Sequence, residues 1–324
     1  MLQAATLDPF ADIKVLACDV IRLLAQSQPS LWKQYCVALV RRMMSQLSHR
    51  HARVRLAVLD AIDACVQCDD AAKCRGAGAQ AINDLLGHRD GNVVPISAFY
   101  EREVRVNRFA KLAKDGNVEV RRRFVQIVTD WAHNLPDRID HQARLLPYLL
   151  GALHDDNPAV RNLALEQVDR MGRQYEKEHQ KDVLEKKQYG VDGDSTLIHG
   201  PLPAPFDVGG RPPLGSRLFV RNWARRFLAP VLVELGAWQL ETRVNAAYMF
   251  RTLVIYMEDH ISMSLLEVIK VCSFFFWRCC CCCCSLRRLS NWCVKCFVLL
   301  GFRFHLTYTL LNNHLHVRVC DRQF

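Results

Sequence analysis

The sequence predicts an all-α protein, an α-solenoid of stacked antiparallel helix pairs. Gly and Pro are scarce, at 15 and 12 in 324 residues, and strand-type alternation is rare. Apolar residues recur with a helical period in one segment after another. The same local pattern returns at intervals near 40 residues, as a repeat array requires.

The repeat is anchored on Val54, Val120 and Val160, each followed by an arginine, as Arg55, Arg121 and Arg161. Ile13-Lys14 fills the same slot upstream, and Val244-Asn245 fills it downstream with the cation lost. The successive intervals are 41, 66, 40 and 84 residues. An amphipathic helix follows each anchor. Its apolar stripe reads Ile13, Leu16, Ala17, Val20 and Leu24 in the first copy, then Val54, Ala57, Val58, Ala61, Ile62 and Cys65 in the second. Val120, Phe124, Ile127, Val128 and Trp131 make the third stripe, and Val160, Leu163, Ala164, Val168 and Met171 the fourth. Val244 to Tyr256 is apolar nearly all round, which suits a helix buried between neighbours.

A partner helix precedes the anchor, with stripes at Trp32, Tyr35, Cys36, Leu39, Val40 and Met43 and at Leu146, Leu149, Leu150 and Leu153. Asn117 and Asn157 stand three residues before their Val, where the side chain can cap free N–H groups. Pro158 follows at the first helical position, where its missing N–H costs nothing. Pro147 and Pro230 fall 13 and 14 residues before their Val, placing a kink at a repeated point of the partner helix. Full copies are expected at about 30–67, 101–134, 139–175 and 217–257, with a half copy at 8–26.

This two-helix unit resembles the HEAT repeat, and the fold class it implies is a HEAT-repeat α-solenoid. The resemblance also implies a ladder, in which the turn carboxylate of one repeat bonds the second-helix Arg of a neighbour. Asp115 and Asp156, with Arg55, Arg121 and Arg161, stand in those places. The array is expected to cover 8–175, with an irregular insertion at about 70–100. A charged helix end leads into a Pro/Gly-rich inter-repeat loop over 176–216, and a further repeat fills 217–270.

The formal charge of +10 is misleading. Residues 271–324 hold seven of the 43 Lys and Arg and one of the 33 Asp and Glu, leaving 36 basic against 32 acidic residues elsewhere. That balance describes a mildly basic surface rather than a phosphate-binding one, so no nucleic-acid partner is expected. Cys18, Cys36, Cys65, Cys68 and Cys74 read as reduced thiols of a cytoplasmic protein, several of them on apolar helix faces. The amino terminus lacks the basic region and apolar core of a signal peptide. No GxSxG, P-loop, HExxH or strand-borne GxGxxG occurs, so neither catalysis nor a cofactor is expected.

After Lys270 the text changes. It carries one acidic residue in 54, and the last 53 residues hold ten of the 15 cysteines, six of them consecutive from Cys279 to Cys284. Arg278, Arg287, Arg288 and Lys295 leave no uncharged run long enough to span a bilayer. Adjacent cysteines cannot all face one metal. Residues 271–324 are expected to be translated intron sequence.

Other motifs have plain readings. Cys65-x2-Cys68 with Cys74 and His88 has a zinc-like look, but Cys65 belongs to the buried stripe. His49 and His51 read as a solvated turn, and Arg122 and Arg123 as exposed neighbours of Arg121. Arg221, Arg225 and Arg226 flank Trp223 and Phe227, whose rings fall on the core stripe and so are not a base-stacking platform. Asp155-Asp156 beside His154 is a repeat turn, not a paired-carboxylate site.

Beyond the generic repeat, three strings are distinctive. They are NLPDR at Asn134 to Arg138, HQARLLPYLLGALHDDNPAVR from His141, and LETRVNAAYMFRTLVIYMEDHI at Leu240 to Ile261. Together they resemble the dynein axonemal assembly factor 5 family, also called HEAT repeat-containing protein 2, over roughly 8–69 and 101–270. Family members are longer, so the expectation is a truncated fragment lacking repeats at both ends. The resemblance implies a non-catalytic cytoplasmic scaffold for preassembly of outer and inner dynein arms, needed for ciliary motility. Its partners would be axonemal dynein chains, including intermediate chains, other dynein assembly factors and cytosolic chaperones, with no membrane. The alternatives are a scaffold for transport or phosphatase assembly and, further off, a nucleic-acid-binding HEAT protein. A long surface of stacked helix pairs suits extended clients in each of the protein-binding readings.

Overall fold

The computed structural model describes residues 2–68, 77–86, 107–188 and 202–264, all within the unit Met1–Val271. The expected intron-derived tail, Cys74, His88 and most of the 70–100 insertion lie outside the described residues. Among the described residues there is no strand. The helices run α1 (Leu2–Ala5), α2 (Ala11–Ser27), α3 (Pro29–Met43), α4 (Ala52–Val66), α5 (Ala77–Leu86) and, after a 3₁₀ turn at Ala110–Lys114, α6 (Val118–Asn134). They continue as α7 (Arg138–Ala152), α8 (Pro158–Glu178), α9 (Gln180–Gln188), α10 (Phe206–Gly209), α11 (Leu214–Leu235) and α12 (Leu240–Met257). The charged segment that opens the expected loop is thus helical through Gln188, and α11 begins before residue 217.

The anchored helices form one row, with α2 on α4, α4 on α6 and α6 on α8. In the other row α3 packs on α5, and the Ala110–Lys114 turn packs on α7. Asn117 and Asn157 cap α6 and α8 as their sequence positions predict, accepting from Glu119 and Val120 and from Ala159. Pro147 and Pro230 lie inside α7 and α11.

The core fills the space between the rows. Phe124, Trp131 and Tyr148 gather around Phe109, which stacks on the Trp131 indole at 5.3 Å. The indole N–H of Trp131 donates to Asp63 Oδ1 at 2.9 Å, and Arg123 donates to Asp60 and Asp63 at 2.5 and 3.0 Å. Arg123 is therefore an inter-helix tie between α6 and α4, not the exposed residue expected. Burial pushes the Asp63 carboxyl up, against the lowering pull of Gln67, Arg123 and Trp131.

Two stripes differ from expectation. The buried face of α2 is Lys14, Ala17, Cys18, Ile21 and Ala25, while Ile13, Leu16 and Leu23 are 41%, 65% and 57% exposed. The small residues let α4 and α3 approach closely, and nothing among the described residues covers the bulkier side. In α12 the buried residues are Thr242, Ala246, Met249 and Phe250, then Thr252, Leu253, Ile255, Tyr256 and Met257, and Val244 is exposed. The anchor there is Thr242-Arg243, not Val244-Asn245.

The last pair exchanges rows. Its first helix, α11, packs mainly on α8 and also touches α7, and its second, α12, packs on α7. Two glycines permit the α8–α11 crossing. A Cβ on Gly172 would lie 2.3 Å from the Ser216 nitrogen, and one on Gly215 would lie 2.3 Å from the Gly172 carbonyl oxygen. The backbones touch, and any side chain would part them. Ser216 Oγ then donates to Asp169 and the Gly215 N–H to Glu176, both at 2.8 Å.

Candidate interaction site: the ladder and its open end

Each anchored arginine is aimed by its own turn. Nη1 of Arg55, Arg121 and Arg161 donates to the carbonyl six residues earlier, on His49, Asp115 and Asp155, at 2.6 Å in every case. Arg243 makes the same contact to Ala237 at 3.3 Å, which fixes its register in the series. The free edge of the guanidinium then reaches the next turn. Arg55 grips Asp115 through Nε and Nη2 at 2.6 and 2.7 Å, and Arg121 grips Asp155 at 2.6 and 2.9 Å. Such bidentate pairs match a planar fork to a planar carboxylate. Both are well covered, with Asp115 and Asp155 side chains 8% and 7% exposed.

Each aspartate does a second task. Asp115 and Asp155 accept the N–H of Asn117 and Asn157, two residues on, at 2.8 Å. One carboxylate therefore shapes its own turn and binds the preceding repeat. His49 fills this slot one repeat earlier, with Nδ1 accepting the His51 N–H at 3.1 Å. An imidazole committed in this way offers no anion, and Lys14 donates instead to Gln46 at 2.9 Å.

The ladder thus brings together Arg55 with Asp115, but Arg121 with Asp155 rather than Asp156. Asp156 is exposed and meets Arg161 through its main-chain carbonyl, which accepts at 3.0 Å. The carboxylate must stand two residues before the cap to reach the cap N–H, and the shared Asp-x-Asn spacing of 115–117 and 155–157 carries that signal. Arg161 closes no rung among the described residues. Its partner slot in the next turn holds Ala237, and that turn follows α12 into the other row.

The row exchange creates a joint absent from the sequence reading. His154 stacks on Tyr248 with ring centroids 5.1 Å apart. Arg251 Nη2 donates to His154 Nδ1 at 3.2 Å, His154 Nε2 meets Thr252 Oγ1, and that hydroxyl donates to the Tyr248 carbonyl at 3.1 Å. The chain needs a neutral imidazole protonated on Nε2. Burial, with the charges of Arg251, Lys114 and Arg161, lowers the His154 pKa to about 3. Beside the joint runs a groove of about 740 Å³, lined by Tyr148, Gly151, Leu240, Tyr248 and Met249 and edged by Lys114.

The other motifs resolve locally. Arg221 donates to the Tyr256 carbonyl and, with Arg211 and Arg217, to Glu258, while Phe227 is fully buried and Trp223 nearly so. Cys65 and Cys68 are buried thiols, and Cys68 Sγ lies 3.3 Å from the Ala25 carbonyl. Among the described residues no group of His, Cys, Asp or Glu is arranged to hold a metal ion, and no helix is long and apolar enough to cross a membrane.

A family model described as "Dynein axonemal assembly factor 5-like, TPR repeats" matches residues 1–77 and 73–187. A second, "Dynein axonemal assembly factor 5, HEAT-repeat domain", matches 205–281. The first names TPR repeats where the spacing suggested HEAT; both are arrays of stacked helix pairs, so the all-α solenoid class is the same. The matches also run through 70–100 and past 270, where the resemblance was expected to lapse. Curated relatives are Dynein axonemal assembly factor 5 of Xenopus laevis, 25% identical over 266 residues, of Mus musculus, 28% over 264, and of Homo sapiens, 28% over 269. These alignments cover 82%, 82% and 83% of this chain and 27% of each relative, so the chain spans about a quarter of their length. It belongs to the dynein axonemal assembly factor 5 family.

Proposed function

We propose that the chain is a non-catalytic helical scaffold that holds proteins together while axonemal dynein arms are preassembled in the cytoplasm. The observation that carries this reading is family membership along both the first and the last repeats. The structure supplies a physical basis. Helix pairs tied by Arg–Asp rungs give a surface that keeps its shape while binding extended clients. The partners are axonemal dynein chains, intermediate chains among them, with other assembly factors and cytosolic chaperones. Affinity capture of the tagged chain from ciliated cells tests this. Enrichment of axonemal dynein chains over cytoplasmic ones is the expected result. Capture of a folded chain with no dynein component would overturn it.

A further inference from the structure

Arg161 is oriented like the two rung arginines, yet no carboxylate among the described residues closes its rung. In the two complete rungs, one contact to the turn carbonyl orients the guanidinium, and the Nε–Nη2 edge then holds an aspartate. Arg161 has the orienting contact at 2.6 Å to the Asp155 carbonyl, reinforced by a second at 3.0 Å to that of Asp156. Its fork is therefore set as Arg55 and Arg121 are set. Ala237 stands where the next aspartate belongs, and α12 has carried that turn into the other row. Arg161 is only partly covered, and no carboxylate among the described residues pairs with it. Of the two carboxylates in its own turn, Asp155 is committed to Arg121, and Asp156, which is exposed, meets Arg161 through its main-chain carbonyl. Arg251 has a buried Nε without a partner.

We propose that Arg161 receives an Asp or Glu side chain from a bound protein segment, so that the open rung is a docking point for an acidic turn of a partner. That the ligand is a protein rests on the scaffold reading; that it is a carboxylate follows from the two filled rungs. A planar guanidinium with one edge pre-aimed loses little freedom on binding, which favours a carboxylate over a neutral acceptor.

The test uses the full chain and a peptide copying the protein's own rung-forming turn, Lys114 to Val118, with blocked ends. Arginine Nε–Hε signals are followed by NMR during titration. The Arg161 signal should move saturably, with roughly tenfold or greater weakening when the peptide aspartate is replaced by asparagine. In the variants, which lack that signal, binding is read from the backbone amides of residues 155–162. Arg161→Gln should lose the saturable amide shifts, and Arg161→Lys, which keeps the charge and loses the fork, should lose them too and carries the comparison if the first variant fails to fold. No saturable shift up to about 10 mM peptide, equal response to both peptides, or retained binding in Arg161→Lys would overturn the proposal. Absence of dynein in affinity capture would overturn the scaffold reading instead and leave the peptide result standing.

Discussion

Replacing Asp155 or Asp156 by alanine separates two adjacent carboxylates of the same turn. Asp155→Ala removes both bonds to Arg121, at 2.6 and 2.9 Å, and the acceptor for the Asn157 N–H at 2.8 Å. Arg121 is 13% exposed and would be left as a covered, uncompensated cation. Breaking a buried pair from one side costs about 3–5 kcal/mol, more than the pair itself contributes, because the remaining charge cannot recover its water. Some relaxation of Arg121 toward solvent brings the expected loss to about 3 kcal/mol. Asp156→Ala removes only an exposed side chain and should change stability by less than about 0.5 kcal/mol. Urea denaturation followed by circular dichroism gives the two differences, and amide exchange across α6 to α8 shows whether the loosening is local. Replacing Arg121 and Asp155 together by leucine should recover part of the loss. Equal effects at 155 and 156, or a loss below about 1 kcal/mol for Asp155→Ala, would refute the ladder as the joint between these repeats.

Three further predictions follow from named contacts. His154 is neutral in the fold with a pKa near 3, while the unfolded chain binds a proton below about 6.5. Stability should therefore fall as pH drops through that window, by at most about 5 kcal/mol, and His154→Phe should flatten this part of a pH series of thermal melts. Gly172→Ala puts a Cβ 2.3 Å from the Ser216 nitrogen and should cost about 3 kcal/mol or more, with faster exchange in α11; Gly116→Ala, with nothing within 4 Å, should be near neutral. Asn117→Ala removes the cap bonds to Glu119 and Val120 and should cost about 1 kcal/mol in denaturant midpoint analysis.

The sequence by itself determined paired helices, the caps at Asn117 and Asn157 and the arginines at 55, 121 and 161, while Arg243 was missed. These follow from local rules that act within one or two turns: a 3.6-residue apolar period, an Asn before a first turn, a proline where no N–H is needed. The stripe of α6 and the burial of Trp131 were legible for that reason. Periodicity names a face without saying which neighbour covers it, and so the α2 stripe was read one residue off. The row exchange of α11 and α12 was beyond reach for the same reason. It depends on Gly172 and Gly215 meeting 43 positions apart, and an isolated glycine in a helix carries no sign of its partner. Only the tertiary structure decided which carboxylate closes each rung and which arginine closes none among the described residues, because an ion pair is set by where two turns come to rest, not by the residues that each turn contains.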